Sequence, residues 1–313
     1  MLVFDIKDGF KEVAKEDRGL NKNNLWFLIN DKGIEAVKGI VSLDEQFVKE
    51  CMEVKQSSKI GFFDKYIYMH FSVLDYKDER IKAKDLNIFL SKDYIITVFD
   101  GELDLIDELE RDIKNSKNCF LLKDNPQAFI VLYYILDRMI VRNYRIISEL
   151  EAKTDAIEIK ILKSPRQEQI DQLINLRRQV YIIKKHINPL RYIGDSLISN
   201  DNSVIEKDSL HYFTSLNSKI DKLMLYLESL VQDLALVREA FESETGNKTN
   251  ELMKVFTMIA TIFLPLNLIT SMYGMNVKHI PFTRMDYGYY IVVFIMVVVA
   301  MYLIYLFKKK KWL

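Results

Sequence analysis

Two uncharged runs, set ten residues apart, limit what this chain can become. Val255 to Asn276 is 22 residues without a charge, and Tyr287 to Phe307 is a second such run of 21. Residues 277–286 separate them, and Lys308-Lys309-Lys310-Lys311-Trp312-Leu313 follows the second. About 20 apolar residues cross the hydrocarbon core of a bilayer. Each run therefore predicts a transmembrane span, joined to the other by a short loop. In lipid every backbone N–H and C=O needs an internal partner, so the spans must be helices. The competing fold is a pair of helices buried in a large soluble core. Soluble helices are usually amphipathic, whereas Tyr290 to Val299 reads YIVVFIMVVV and is apolar on every face.

Composition narrows the rest. Lys and Arg number 44 and Asp and Glu 44, so there is no basic excess of the kind nucleic-acid binding needs. A 49% hydrophobic content with 28% charge suits a folded chain. The two cysteines, Cys51 and Cys119, have neither metal-site nor redox spacing. The first residues, MLVFDIKDGFKEVAKEDRG, are charged and lack the apolar core of a signal peptide. Lysines crowd the end of the second span, while the loop carries only Lys278 and Arg284 beside Asp286. By the positive-inside rule both termini are expected in the cytoplasm, with the loop outside.

The expected fold class is an α+β cytoplasmic domain, then a long stalk helix and two C-terminal transmembrane helices. Residues 1–125 read as the α/β domain, with strands at Leu25–Asn30, about Ile60–Leu74 with a turn at Asp64-Lys65, Leu86–Leu90 and Tyr94–Phe99. Asp31-Lys32-Gly33 reads as a turn, Val41–Gln56 as a helix, and Gly101–Asn115 as another by its Leu103, Leu105, Ile106, Leu109 and Ile113. Residues 126–207 read as a helical hairpin. Asn125-Pro126 opens its first helix, Ser164-Pro165 separates the two, and the second is expected to stop near Ile187, ahead of Pro189. Glu149–Glu158 reads as a solvated helix face. Residues 208–276 read as one helix, with Leu223, Leu227, Leu230, Leu234, Val237 and Phe241 as its packing seam. Unbroken from Asp208 to Met272 it would be roughly 98 Å long. The loop at 277–286, the second span at 287–307 and a basic tail at 308–313 complete the division.

One face of that helix carries a stripe. Asn250, Met253, Thr257, Ala260, Leu264, Asn267 and Ser271 step three and four residues apart, and Glu239 lies three turns before Asn250. Polar residues within a span face a bundle interior or a watery path. They also serve as hydrogen-bonding glue between helices, and spacing alone leaves both open. Two spans cannot enclose a pore, so transport would need a symmetric ring of subunits. No Gly-rich phosphate loop and no nucleophile–base arrangement is present, so no enzyme, no nucleotide site and no cofactor is expected. His70 reads as a histidine packed in or beside the sheet.

The first span ends on Tyr273-Gly274-Met275-Asn276. Together with Asn247-Lys-Thr-Asn-Glu-Leu-Met-Lys, Ile262-Phe-Leu-Pro-Leu, the short loop and the Lys-rich Trp312-Leu313 ending, this resembles the CorA family of magnesium transporters. The resemblance is close over residues 247–313, and the order of elements upstream is compatible with it. It implies a homopentameric funnel in which the long helix lines the pore and the second span forms an outer ring against lipid. Gly274, Met275 and Asn276 would form the outer selectivity ring. Asn250, Met253, Leu264 and Asn267 fall at pore-lining positions, with Met253 and Leu264 as apolar gates and Glu239 where an acid often occurs. The cargo implied is Mg²⁺, with Co²⁺ and Ni²⁺ as further candidates, and Mg²⁺ also as the regulatory ion. The partners implied are four more copies of the chain, the bilayer and divalent cations.

The chain departs from the family pattern at three places. Ile280-Pro281-Phe282-Thr283 stands where many members have Met-Pro-Glu-Leu, and Lys278 where an acid is common. The stalk region Tyr212–Leu216 lacks the acid used to hold regulatory Mg²⁺. Asp75 or Asp78 are left as its other half, against a plainer reading as a solvated turn. The alternatives to Mg²⁺ import are a zinc carrier of the same superfamily and a membrane-anchored scaffold or sensor.

Overall fold

A computed structural model describes residues 1–13, 24–30, 57–276, 280–282, 285–310 and 312. They fall into two compact units, one of residues 1–160 and 166–238, the other of 161–165 and 239–313.

The first unit is built on a seven-stranded sheet. Its strands are β1 (Leu2–Asp5), β2 (Lys11–Glu12), β3 (Leu25–Asn30), β4 (Lys59–Phe62), β5 (Ile67–Lys77), β6 (Arg80–Leu90) and β7 (Tyr94–Phe99). The order across the sheet is β2-β1-β3-β7-β6-β5-β4. Among the described residues only the central β3–β7 pair is parallel, with Leu25 opposite Tyr94. Strands buried on both faces read as continuous apolar runs, and β3, LWFLIN, is buried from Leu25 to Ile29. Leu25, Phe27, Ile29, Tyr68, Phe89, Ile96 and Val98 share one core face. Trp26 lies in the interior and donates from Nε1 to Thr97 Oγ1 at 3.2 Å. The expected strands are present, but β6 begins at Arg80, not Leu86. The turn expected at 31–33 and the helix at 41–56 lie outside the described residues.

The helices of this unit begin with α1 (Asp104–Lys114) and a single turn, α2 (Leu121–Asp124). The start of α1 falls three residues later than expected, because Gly101 has φ +68°, a left-handed conformation that cannot enter a right-handed helix. α3 (Ala128–Lys163) follows Pro126. Its first N–H, that of Ala128, donates to the Asn24 side chain at 3.3 Å. Ser164-Pro165 ends α3, since the residue before a proline is pushed away from helical backbone. α4 (Gln167–Ser199) opens with the Arg166 N–H donating to Gln169 Oε1 at 2.9 Å, and closes on Asn200 in the left-handed conformation.

The expected stop of α4 before Pro189 is wrong: the helix runs through that proline to Ser199. The ring removes one hydrogen bond, to the carbonyl of Lys185, and Lys185 is exposed. Beyond it Leu190, Ile193 and Leu197 are buried and hold the last turns in place. A 3₁₀ turn (Lys207–Ser209) leads into α5 (Leu210–Tyr273), 64 residues long and uninterrupted by Pro265. Its seam residues Leu223, Leu227, Leu230, Leu234 and Val237 are buried, while Phe241 is half-buried. Phe71 of β5 meets Leu136 and Ile140 of α3, Ile193 of α4 and Phe213 and Ile220 of α5 around a small void of about 20 Å³.

The stretch between α4 and α5 is bound to the sheet. The Asn202 Nδ2 donates to the carbonyls of Phe63 and Tyr66 at 2.6 and 3.0 Å, gripping the turn between β4 and β5. The Asn200 side chain donates to Ile205 O at 2.7 Å and accepts from its N–H at 3.3 Å. The acidic stretch 149–158 is not wholly a solvated face. Tyr226 on α5 donates to the Glu151 carboxylate, and Lys153 donates to the Tyr76 hydroxyl at 2.7 Å.

In the second unit, α5 runs antiparallel to α6 (Gly288–Lys309). Each helix carries a stretch long and apolar enough to cross a membrane, and those stretches are almost wholly unburied. A helix in a soluble core would show the opposite.

Candidate functional site

The two apolar helices meet along one face of α5. Met258 is buried there, and Ile262, Pro265, Leu266, Ile269 and Tyr273 are half-covered. At 100° per residue these positions cluster on one side of the helix. Asn250, Met253, Thr257, Ala260, Leu264, Asn267 and Ser271 lie on the other side, and all seven are exposed. Met253 is 58% exposed and Leu264 67%. The striped face of α5 is thus turned away from α6, and Glu239, also exposed, continues it.

The hydroxyls on this helix are oriented. Thr257 Oγ1 donates to Met253 O and Thr261 Oγ1 to Thr257 O, each at 2.7 Å, and Thr270 Oγ1 donates to Asn267 O at 2.9 Å. A threonine whose proton is spent on its own backbone offers only lone pairs outward. Such an oxygen suits a cation or the waters around one. Thr261 and Thr270 were missed by the stripe, because they sit beside it rather than on it. Pro265 adds an acceptor, since its missing N–H leaves the carbonyl of Thr261 without its usual partner. An open groove of about 670 Å³ runs along the flank of the stripe, lined by Ala260, Phe263, Leu264, Leu266, Asn267 and Thr270, with Met296 of α6 as its far wall.

Gly274, Met275 and Asn276 are the first residues past the end of α5, and all are exposed. The Gly274 N–H still closes the helix, donating to Thr270 O at 2.9 Å. A Cβ at Gly274 would meet the carbonyls of Thr270 and Ser271 at 3.5 Å, an ordinary contact. Nothing among the described residues of one chain therefore demands glycine there. Lys278 lies outside the described residues, and Phe282 of the loop is exposed.

In the first unit one of the two candidate acids for a regulatory metal, Asp75, is otherwise engaged. Asp75 is neither a free ligand nor part of a solvated turn. It lies on β5 and accepts from Arg142 Nη2 at 2.9 Å, with Lys77 Nζ at 3.1 Å. Asp104 completes the square, 3.1 Å from Lys77 and 3.4 Å from Arg142. Burial works against the Asp75 carboxylate, but the bonds from Arg142 and Lys77 outweigh it and hold the group below its ordinary range. Two side-chain cations thus already neutralise the Asp75–Asp104 pair. Asp78 sits in the β5–β6 turn at φ +53°. No group of three His, Cys, Asp or Glu is placed to hold a metal ion among the described residues. His70 is buried in β5 with Nε2 3.4 Å from Asp85 Oδ1, and burial pushes its pKa down. It is a packed histidine, as its position in the strand implied.

The chain resembles known proteins over almost its full length. It is 27% identical to the cobalt/magnesium transport protein CorA of Thermotoga maritima over 293 residues, covering 91% of this chain and 83% of that protein. With the protein of the same name from Methanocaldococcus jannaschii it shares 26% over 300 residues, covering 92% and 87%. The complete structure of the CorA magnesium transporter from M. jannaschii superposes with a TM-score of 0.85 at 19% identity, covering 100% of this chain and 98% of that one. The model of the family described as CorA-like Mg²⁺ transporter protein matches residues 21–309. That match, over more than nine-tenths of the chain, makes it a member of the CorA-like Mg²⁺ transporter family.

Proposed function

We infer that this protein is a channel-like importer of hydrated Mg²⁺, with Co²⁺ and Ni²⁺ as further cargo. It works as a homopentamer in the cell membrane with both termini cytoplasmic. The observation that carries this reading is the exposed polar stripe on the face of α5 opposite α6. Five copies with that face inward would enclose a path lined by Asn250, Thr257 and Asn267, narrowed by Met253 and Leu264. Apolar constrictions of that kind gate by dewetting. Glu239 would stand nearer the cytoplasm. Mg²⁺ gives up its water reluctantly, so side-chain carbonyls of Asn276, in a ring with Gly274 and Met275, would bind the ion through its first-shell waters. A neutral ring holds the ion weakly enough for it to leave. A divalent ion moving inward down 100 mV gains about 4.6 kcal/mol, which supplies the drive without ATP. Cytoplasmic Mg²⁺ is the expected closing signal. Because Asp75 is already paired with Arg142 and Lys77, that ion must act elsewhere than at Asp75.

The test is uptake of Mg²⁺, Co²⁺ and Zn²⁺ into proteoliposomes under an inside-negative potential. Mg²⁺ flux should rise with the potential and fall at least about tenfold in Asn276→Ala, the loss of a filter contact worth about 1.4 kcal/mol. Zn²⁺ flux without Mg²⁺ flux would move the protein to a zinc carrier. No flux of any metal from folded oligomers would leave a membrane-anchored scaffold.

A further inference from the structure

One face of α3 borders a trough of about 500 Å³, whose other walls are α1 and the end of β5. Arg138, Arg142 and Arg145 share that face, four and three residues apart. Leu105, Val141 and Ile146 give the trough an apolar lining between them. All of these residues belong to the first unit. Most of the charge around the trough is already spent. Arg142 is bonded to Asp75, Asp137 accepts from Lys219 at 2.6 Å, and Glu149 lies 3.6 Å from Lys153. Three donors are not spent. Arg138 gives its Nη2 to Asp112 at 2.8 Å, yet its Nε is buried and has no hydrogen-bond partner among the described residues. Tyr134 accepts the Leu121 N–H at 3.1 Å and keeps its own proton to give. Arg145 is exposed and enters no ion pair among the described residues. Against these donors stands Glu108, the lining carboxylate that has no ion-pair partner among the described residues.

We propose that the trough binds a small organic phosphate, whose phosphoryl oxygens accept from Arg138 Nε, Arg145 and Tyr134 while its carbon skeleton lies over Leu105, Val141 and Ile146. Four arguments favour that occupant. A buried N–H calls for an acceptor, and the fork of a guanidinium matches the oxygens of a phosphate. The uncommitted groups are mostly donors, and no group of three His, Cys, Asp or Glu is placed to hold a metal ion among the described residues, so a bare cation does not suit the trough. The apolar lining favours an organic phosphate over the inorganic ion. The volume falls in the range of small-molecule pockets.

The experiment is equilibrium dialysis of the full chain in lipid nanodiscs against AMP and glycerol 3-phosphate, with adenosine and inorganic phosphate as controls. EDTA is present throughout, so that no divalent ion bridges protein and probe. At least one of the two organic phosphates is expected to be retained with a Kd of about 0.1 mM or tighter. Adenosine should not be retained, and inorganic phosphate should bind at least about tenfold more weakly. Arg145→Gln should weaken the retained probe about tenfold or more, the loss of a charge-assisted hydrogen bond. Because Arg145 is exposed, that variant does not endanger the fold. Arg138→Lys keeps a cation beside Asp112 while removing Nε, and should weaken binding likewise. Glu108→Gln should tighten it. Lys92→Gln removes an exposed charge from the β6–β7 turn and should leave it unchanged. No retention of either organic phosphate overturns the proposal, and water alone then fills the trough. Adenosine retained as well as AMP, inorganic phosphate retained as well as either ester, or binding that is unchanged in Arg145→Gln overturns it too. No ion flux is read, so this result stands apart from the transport assay.

Discussion

At the scale of single residues, close contacts and charge pairs do work that no spacing rule announces. A Cβ at Gly194 would come within 2.4 Å of Asn217 Oδ1, whose amide is held by Asp195 at 2.7 Å. Gly194→Ala should therefore destabilise the protein by about 1–3 kcal/mol. Asn217→Ala introduced with it should recover part of the loss, as read from thermal unfolding of the full chain. The Asp75–Arg142 pair has a pH signature. The Asp75 carboxyl is held below its ordinary value, so its stabilisation is present above about pH 4 and is lost as pH falls through the folded value. Arg142→Met should cost roughly 1–3 kcal/mol at neutral pH, between the values for exposed and buried pairs. That deficit should shrink below about pH 4. His70 has the same sign at higher pH. Burial lowers its pKa, so stability should begin to fall below about pH 6.5, and His70→Gln should remove that phase. Asp75 was visible in the sequence as an acid near a turn. Its partners Arg142 and Lys77 were not, because one of them lies 67 residues away.

At the scale of elements, periodicity was the readable part. The α5 seam stood out by its three-four spacing, and five of its six residues are buried. Leu227→Ala should cost about 2–5 kcal/mol, measured as a shift in the denaturant midpoint, because the site is fully enclosed. The stripe was equally legible, since spacing fixes which residues share a face. What spacing could not supply was which face α6 would cover. The first half of β6 is hidden in the sequence for a different reason. Arg80 to Asp85 is mostly polar and partly exposed, yet each residue is paired across to β5 from Lys77↔Arg80 to Ser72↔Asp85. Backbone pairing, not apolar content, makes that half a strand. Pro189 misled because a proline stops a helix only when nothing downstream holds it, and Leu190, Ile193 and Leu197 do.

At the scale of the whole molecule, one chain offers a wall and not an enclosure, so assembly and permeation can be separated. Asn267→Leu tests them together. If Asn267 lines the path, the variant keeps the oligomeric mass of the unaltered chain by native mass spectrometry and loses Mg²⁺ flux about tenfold or more. If it is interhelical glue worth about 1 kcal/mol per contact, the oligomer itself weakens. The joint ahead of α5 has a mechanical consequence. Asn202 grips both carbonyls of the β4–β5 turn, and Asn200 closes the loop on Ile205. This connection is a rivet, not a hinge: torque on the first turns of α5 is handed to the sheet instead of being absorbed by slack chain. Asn202→Ala should loosen it, seen as faster amide exchange at Val204 and Ile205.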